Sequence, residues 1–257
     1  MLQNKREKYM NNLNQLYLTT SWDDGDPLDY RIAELLSKHG IPGTFYVPCY
    51  NSSREVMSNS ALRELSQDFE IGSHTLDHYP IDGKDLDEIK HQVVDGKKEL
   101  ENRIGKEVDI FCYPGGRSHA QSRKIVKDAG FKFARNTADF NLSLGNDPFS
   151  LPTTAQFRFR RPSSLAFNFA KWGNWFDRTS MLIPALKGKS MIEQLENMLE
   201  VAIKRGGVFH LWGHAYQIEE TDDWDELDRF LGYLSEIFPA SMRKTNGEIF
   251  NDMMTSK

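Results

Sequence analysis

Short β-forming runs alternate with amphipathic stretches of helical period along most of the chain, and that alternation predicts an α/β layer or barrel. Residues 16–21 (LYLTTS) read as a first strand. Asp26-Pro27 has the pattern of an N-cap and an N1 proline, Leu28, Ile32, Leu35 and Leu36 form one helical stripe, and Gly40 stands where a C′ glycine stops it. Residues 44–47 give a second strand, 61–66 a short helix and 69–72 a third strand. Leu86, Ile89, Val93, Leu100 and Ile104 keep a helical face until Gly105. Residues 110–113 and 131–134 are strands flanking a helix over 118–129 that Gly130 ends. The rhythm breaks over residues 143–189, where Pro148, Pro152, Pro162 and Pro184 interrupt it and Phe167, Phe169, Trp172, Trp175 and Phe176 cluster. Within that stretch 156–160 reads as a strand. Regularity returns with a helix over 191–204, a strand over 208–212 and a helix near 223–237. With no repeat and no low-complexity linker, the expectation is one catalytic domain over 1–257 with an irregular insertion around 143–189.

Composition narrows the function classes. A length of 257 suits one α/β barrel. The longest strongly apolar stretches, such as residues 208–212, are too short to span a bilayer. The start, MLQNKREKYMNNLNQLYLTT, is basic and Asn-rich without an apolar core or small-residue cleavage site, so a soluble, cytoplasmic protein is expected. A net charge of −5 leaves no electrostatic footprint for nucleic acid. Cys49 and Cys112 make neither a disulfide framework nor a zinc cluster, and buried free thiols are expected.

Four segments carry chemistry, each just past a predicted strand. In Trp22-Asp23-Asp24-Gly25, two adjacent acids at a strand exit can point differently, one to a metal and one to a reacting proton, while Gly25 permits the turn that aims them. Alone, Asp-Asp-Gly is also an ordinary polar turn. In Gly72-Ser73-His74-Thr75-Leu76-Asp77-His78, histidines at i and i+4 share a face if the segment is helical. Asp24, His74 and His78 together offer three ligands with an open position, which describes a catalytic metal site better than a closed structural one. Such a metal polarises a carbonyl and activates water near neutral pH. In Gly207-Val208-Phe209-His210-Leu211-Trp212-Gly213-His214, strand parity puts His210 and Trp212 on one face and His214 beyond the strand end, where it is the better placed of the two histidines to act as a general acid. In Phe111-Cys112-Tyr113-Pro114-Gly115-Gly116, the Gly115 N–H can face an oxyanion; a glycine turn without function is equally natural. Common placement at strand exits joins these signals, because α/β barrels build active sites at that face.

Ser21-Trp22-Asp23-Asp24-Gly25, Ser73-His74-Thr75-Leu76-Asp77-His78, Tyr113-Pro114-Gly115-Gly116 and Leu211-Trp212-Gly213-His214, taken in order, resemble the motifs of the polysaccharide deacetylases, the carbohydrate esterase family four or nodulation-type deacetylase homology domain. Gly43-Thr44-Phe45-Tyr46-Val47-Pro48 resembles the family's second strand, so the likeness runs over roughly residues 16–240. It implies a distorted (β/α) barrel with fewer than eight repeats and metal-dependent removal of N- or O-acetyl groups from an acetylated saccharide. It also implies Asp23 as general base, Asp24, His74 and His78 as ligands of one divalent ion, commonly zinc, and Gly115 in the oxyanion hole. A histidine of the last motif would be the general acid, and Trp212, Arg135 and His210 are the expected substrate contacts.

The chain departs from the family in two places. Cys112 stands where the family often has the Arg that pairs with the catalytic aspartate, and either Arg135 or Arg160 is a candidate replacement. The fourth motif's Asp and Trp are not recognisable around Arg135-Asn136-Thr137. The competing readings are an amidase on a small non-sugar amide, a carbohydrate-binding pseudoenzyme, and a two-His-one-carboxylate iron site, the last of which leaves Asp23 and His214 without a role.

Overall fold

Strand β1 (Leu16–Asp23) is an inner strand, with alternate side chains serving two interiors. The computed structural model describes residues 16–83 and 85–255, so residues 1–15, read above for a leader, lie outside the described residues. After β1 come α1 (Asp29–His39), β2 (Thr44–Val47), α2 (Asn59–Asp68), β3 (Glu70–Ser73), α3 (Leu86–Ile104), β4 (Ile110–Cys112), α4 (Ala120–Asp128) and β5 (Phe133–Arg135). The second half holds β6 (Ala155–Gln156), α5 (Pro162–Trp172), α6 (Trp175–Lys187), α7 (Met191–Arg205), β7 (Gly207–Gly213), α8 (Ala215–Thr221), α9 (Trp224–Ile237) and α10 (Asn246–Thr255).

One 7-stranded sheet has the order β5-β4-β3-β2-β1-β7-β6, and every pair is parallel. The sheet curls until a single stretch of chain touches both of its ends. Leu151 bridges to Arg135 of β5, and Ala155 and Gln156 pair with Leu211 and Trp212 of β7. The architecture is thus the expected distorted (β/α) barrel with fewer than eight repeats.

Strand parity sorts the two interiors. Leu16, Leu18 and Trp22 of β1, Phe45 and Val47 of β2 and Phe209 and Leu211 of β7 face the helices and are fully buried there. The opposite parity fills the barrel. Its lower layer is apolar, with Ile110, Phe133, Val208 and, from α10, Ile249 and Phe250. Gly72 makes room for Tyr46 in this interior, since a Cβ there would lie 2.4 Å from its ring. Asn246, at the start of α10, accepts from Thr19 Oγ1 at 2.8 Å and donates to Tyr46 Oη at 2.9 Å, so the plugging helix is tied to the barrel floor. Polar groups on this parity, Ser21, Asp23, Cys112, Arg135, His210 and Trp212, occupy the upper layers.

Three expectations are corrected. The segment 143–189 is not irregular throughout: Pro162 is the first residue of α5 rather than a breaker, and α6 carries Pro184 inside it. The strand expected over 156–160 is only β6, because Arg158 and Phe159 turn away to solvent. Asp26 does not cap α1 directly; its Oδ1 accepts from Leu28 N at 2.9 Å in a turn ahead of the helix. Cys49 and Cys112 are buried free thiols, as expected. No helix among the described residues is long and apolar enough to cross a membrane.

Candidate active site

The end of β1 sends two neighbouring acids in different directions. Asp23 keeps strand parity and points into the barrel, whereas Asp24 leaves the strand at a φ of 81°, its N–H donating to the Tyr46 carbonyl at 3.0 Å. Gly25 follows at φ +62°, where a Cβ would come within 2.7 Å of Val47, so the turn needs glycine both for its φ and for its space.

His74 and His78 meet Asp24 from the loop after β3. Their i, i+4 spacing works without a helix. Thr75 and His78 take left-handed φ values of 72° and 56°, and Thr75 Oγ1 accepts from Tyr79 N at 2.9 Å to lock the loop. Left-handed backbone costs an L-residue roughly 1–2 kcal/mol, so three such residues at Asp24, Thr75 and His78 mark a strained site held by its surroundings. Gly96 of α3 is part of that support, because a Cβ there would lie 2.7 Å from Leu76 N.

Asp24 Oδ1 lies 3.4 Å from His74 Nε2 and 3.1 Å from His78 Nε2, and the three ligand atoms fall within 4.8 Å of one another. His74 Nδ1 is 2.8 Å from the Cys112 carbonyl, which can only accept, so Nδ1 carries the proton. Carrying that one proton, His74 turns a bare Nε2 toward a carboxylate oxygen that has no hydrogen-bond donor of its own. A shared cation resolves two facing lone pairs, and the Cys112 carbonyl fixes the ring as metal-binding histidines require. The donor set of two imidazoles and a carboxylate fits a divalent ion with an open position. Burial pushes the Asp24 carboxyl up, but the surrounding imidazoles of His74, His78 and His214 outweigh it and hold it well below the usual carboxylate range. The His78 ring is pushed down by burial and more strongly up by Asp24.

A second cluster, Asp23, His74 and Cys112, overlaps the first. It is the poorer metal site. Burial pushes the Cys112 thiol well up, away from the thiolate that binds metals, and Asp23 Oδ1 is already taken by Arg135 Nη2. That ion pair is sealed, with Arg135 at 0% and Asp23 at 2% exposure. It also settles which arginine replaces the one absent at Cys112. Parallel register sets Cys112 directly beside Arg135, so the guanidinium reaches Asp23 from one strand further along the sheet. Arg160 instead pairs with Asp139.

On the other wall, His214 Nε2 faces Asp24 Oδ2 at 4.0 Å, and its Nδ1 lies 3.2 Å from Gln217 Oε1. Burial lowers the basicity of this ring. His210 sits a layer deeper, with Nε2 2.8 Å from Ser21 Oγ. Trp212 donates its indole N–H to Asp139 Oδ1 at 2.8 Å and packs edge-on against His214, with ring centroids 5.5 Å apart. Arg135 and His210, expected as substrate contacts, are 0% and 1% exposed, and each faces a protein partner, Asp23 and Ser21. Trp212 is largely buried and serves as wall. Gly115 follows β4 in a 3-10 turn at φ 65° and fronts open space, whereas Gly116 abuts Thr137.

Sequence reasoning missed Asp139 and Gln217. Asp139 is a buried hub that accepts from Trp212 and from Thr153 Oγ1 at 2.8 Å and pairs with Arg160. Its only sequence signal is an acid before an aromatic residue, four positions past β5.

The family model described as polysaccharide deacetylase matches residues 11–134. Over those residues, just under half of the chain, the sequence is similar to the polysaccharide deacetylases. The matched stretch contains Asp23, Asp24, His74, His78 and Gly115; Arg135, Asp139 and His214 lie beyond it. A peptidoglycan-N-acetylglucosamine deacetylase of Bacillus cereus is 26% identical over 121 residues, 46% of this chain and 55% of that protein. The chain spans about half the length of the curated relatives it matches. Among solved structures, the chitin deacetylase of Colletotrichum lindemuthianum superposes with a TM-score of 0.58 at 13% identity, covering 92% of this chain and 88% of that one. A family 4 acetyl xylan esterase from Clostridium thermocellum, in complex with a cobalt ion, gives 0.55 at 15% identity, covering 92% and 91%. These structures share the polysaccharide deacetylase fold across both halves of the chain.

Proposed function

We propose that this chain is a metal-dependent hydrolase that removes an acetyl group from an acetylated saccharide, with zinc as its ion. The observation that carries the reading is the convergence of Asp24, His74 and His78 at strand exits, with His74 Nδ1 tied to a carbonyl so that Nε2 faces the site. A divalent ion there supplies Lewis acidity toward the acetyl carbonyl and lowers the pKa of water.

The chain's own groups supply the proton transfers. Arg135 occupies Asp23 Oδ1, and Oδ2, which meets only the weak Cys112 thiol donor at 3.9 Å, is the oxygen to take the proton of the attacking water. The Gly115 N–H, in the turn that follows β4, would stabilise the charge developing on the acetyl oxygen. His214 acts from the opposite wall. Gln217 Oε1 is a carbonyl oxygen that also accepts from Gln156 at 3.1 Å, so His214 Nδ1 donates to it and Nε2 is the nitrogen that delivers a proton to the departing sugar nitrogen or oxygen. Burial makes the protonated ring a readier donor.

The test is acetate release from a panel of acetylated oligosaccharides and small amides by protein reloaded with zinc. Asp23→Asn and His214→Ala should each lose on the order of 10²-fold or more in turnover while keeping the metal. No acetate release by metal-loaded wild type from any saccharide contradicts the reading, and turnover confined to the small amides makes the protein an amidase instead.

A further inference from the structure

The helical pair α5–α6 leaves an apolar stripe in solvent. Along α6, Arg178, Met181 and Ala185 are buried toward the protein, and helical spacing puts Phe176, Ile183 and Leu186 on the opposite side. Phe176 is 98% exposed, Trp175 58% and, on α5, Phe167 69%. Scattered exposed hydrophobics need no explanation, but five of them on two consecutive helices that pack together do.

The charge around the stripe is one-sided. Arg161, Lys171, Lys187 and Lys189 are exposed on or beside these helices, and none of them is held in an ion pair among the described residues. Between residues 157 and 190 the one acid is Asp177, in a chain whose net charge is −5. Basic side chains have thus gathered around the apolar stripe while the rest of the molecule is acidic.

The pair is also rigidly seated. The buried Arg178 guanidinium donates to the carbonyls of Asp139, Phe169 and Gly173 at 2.8 Å and to Asn168 at 3.2 Å. Asn168 Nδ2 in turn donates to the Thr137 carbonyl at 3.3 Å. The outward stripe is therefore braced to the loop that carries Asp139, beside the candidate active site, and is not a loose appendage.

From these observations we propose that α5–α6 docks on an anionic lipid surface. Basic residues flanking Trp, Phe, Ile and Leu on one face are the chemistry of a helix that lies in the headgroup layer. A second copy of this chain meeting the face across a two-fold axis would bring like charges together. A sugar chain would find no stacking surface or polar partner in Ile183 and Leu186. The proposal concerns binding and is independent of the deacetylase reading.

The full-length protein is sedimented with phosphatidylcholine vesicles and with mixed phosphatidylcholine–phosphatidylglycerol vesicles, at low and high salt. Wild type should pellet with the anionic vesicles only, and high salt should weaken the binding. Phe176→Ser with Ile183→Ser should lower the partition coefficient by about tenfold or more, and Lys187→Glu with Lys189→Glu should also lower it, with the vesicle composition unchanged. Both pairs are exposed, and an unchanged thermal melt confirms that each variant is folded. Failure of folded wild type to bind anionic vesicles overturns the proposal. So does equal binding to neutral vesicles, or a wild-type dimer that Phe176→Ser converts to monomer without any vesicle binding.

Discussion

Replacing Arg135 by Met keeps the length of the stem and removes the charge that faces Asp23. Both partners are sealed from solvent, so the variant leaves a buried carboxylate without its cation. Breaking such a pair from one side costs about 3–5 kcal/mol. The guanidinium also lies 4.9 Å from the Tyr46 ring and 5.2 Å from the Trp212 ring, contacts that Met replaces only in part. For a domain of this size the loss corresponds to a fall of about 6–20 °C in melting midpoint. The assay is a urea titration of wild type, Arg135→Met, Asp23→Asn and the double variant, with chelator present so that metal binding does not add to stability. Because the damage lies in the stranded charge, the double variant should be more stable than Arg135→Met alone. An Arg135→Met protein within about 1 kcal/mol of wild type, the range of an exposed pair, refutes this reasoning. Strict additivity of the two single changes refutes it equally.

Two further outcomes follow from the same structure. Gly116→Ala would place a Cβ 2.1 Å from Thr137 Oγ1 and 2.7 Å from its backbone N, whereas Gly115→Ala meets nothing within 4 Å. In thermal melts Gly115→Ala should therefore cost only the left-handed strain of roughly 1–2 kcal/mol, and Gly116→Ala distinctly more; equal losses would show that the Thr137 contact yields easily. Asp29 is buried with neither carboxylate oxygen hydrogen-bonded, and burial, with repulsion from Asp26 next, holds its carboxyl well above the usual range. A raised folded pKa means that the folded state binds more protons than the unfolded one, so this group's contribution falls as pH rises above the ordinary Asp value. Asp29→Asn should accordingly raise the melting midpoint more at neutral pH than in mild acid, and a pH-independent change would contradict that assignment.

The sequence carried the strand–helix alternation well because β1, β2, β3 and β4 are each followed by a helix, and glycines end two of these helices, at Gly40 and Gly105. Both helix-ending glycines stand in the left-handed region that their position called for. Asp24, His74 and His78 were legible because they lie close to strand exits in a local motif. Arg135 was not, since choosing it over Arg160 needs the parallel register that sets it beside Cys112. Helices α5 and α6 were hidden by their own composition: prolines read as breakers, and aromatic residues on the solvent side blurred the helical period. Asp139 acts through Trp212, 73 residues away, which leaves no spacing to read, whereas Gln217 lies three residues past His214 and meets it only through the local turn into α8.

The most direct test of the account is the metal content of purified protein, by elemental analysis, for wild type and His78→Ala prepared side by side. His78 is the ligand candidate nearest the surface, its side chain 31% exposed, so its truncation opens no core cavity. Wild type should carry close to one divalent ion per chain, and His78→Ala only a small fraction of that. Equal metal content in the two proteins would contradict the assignment of Asp24, His74 and His78 as the metal site.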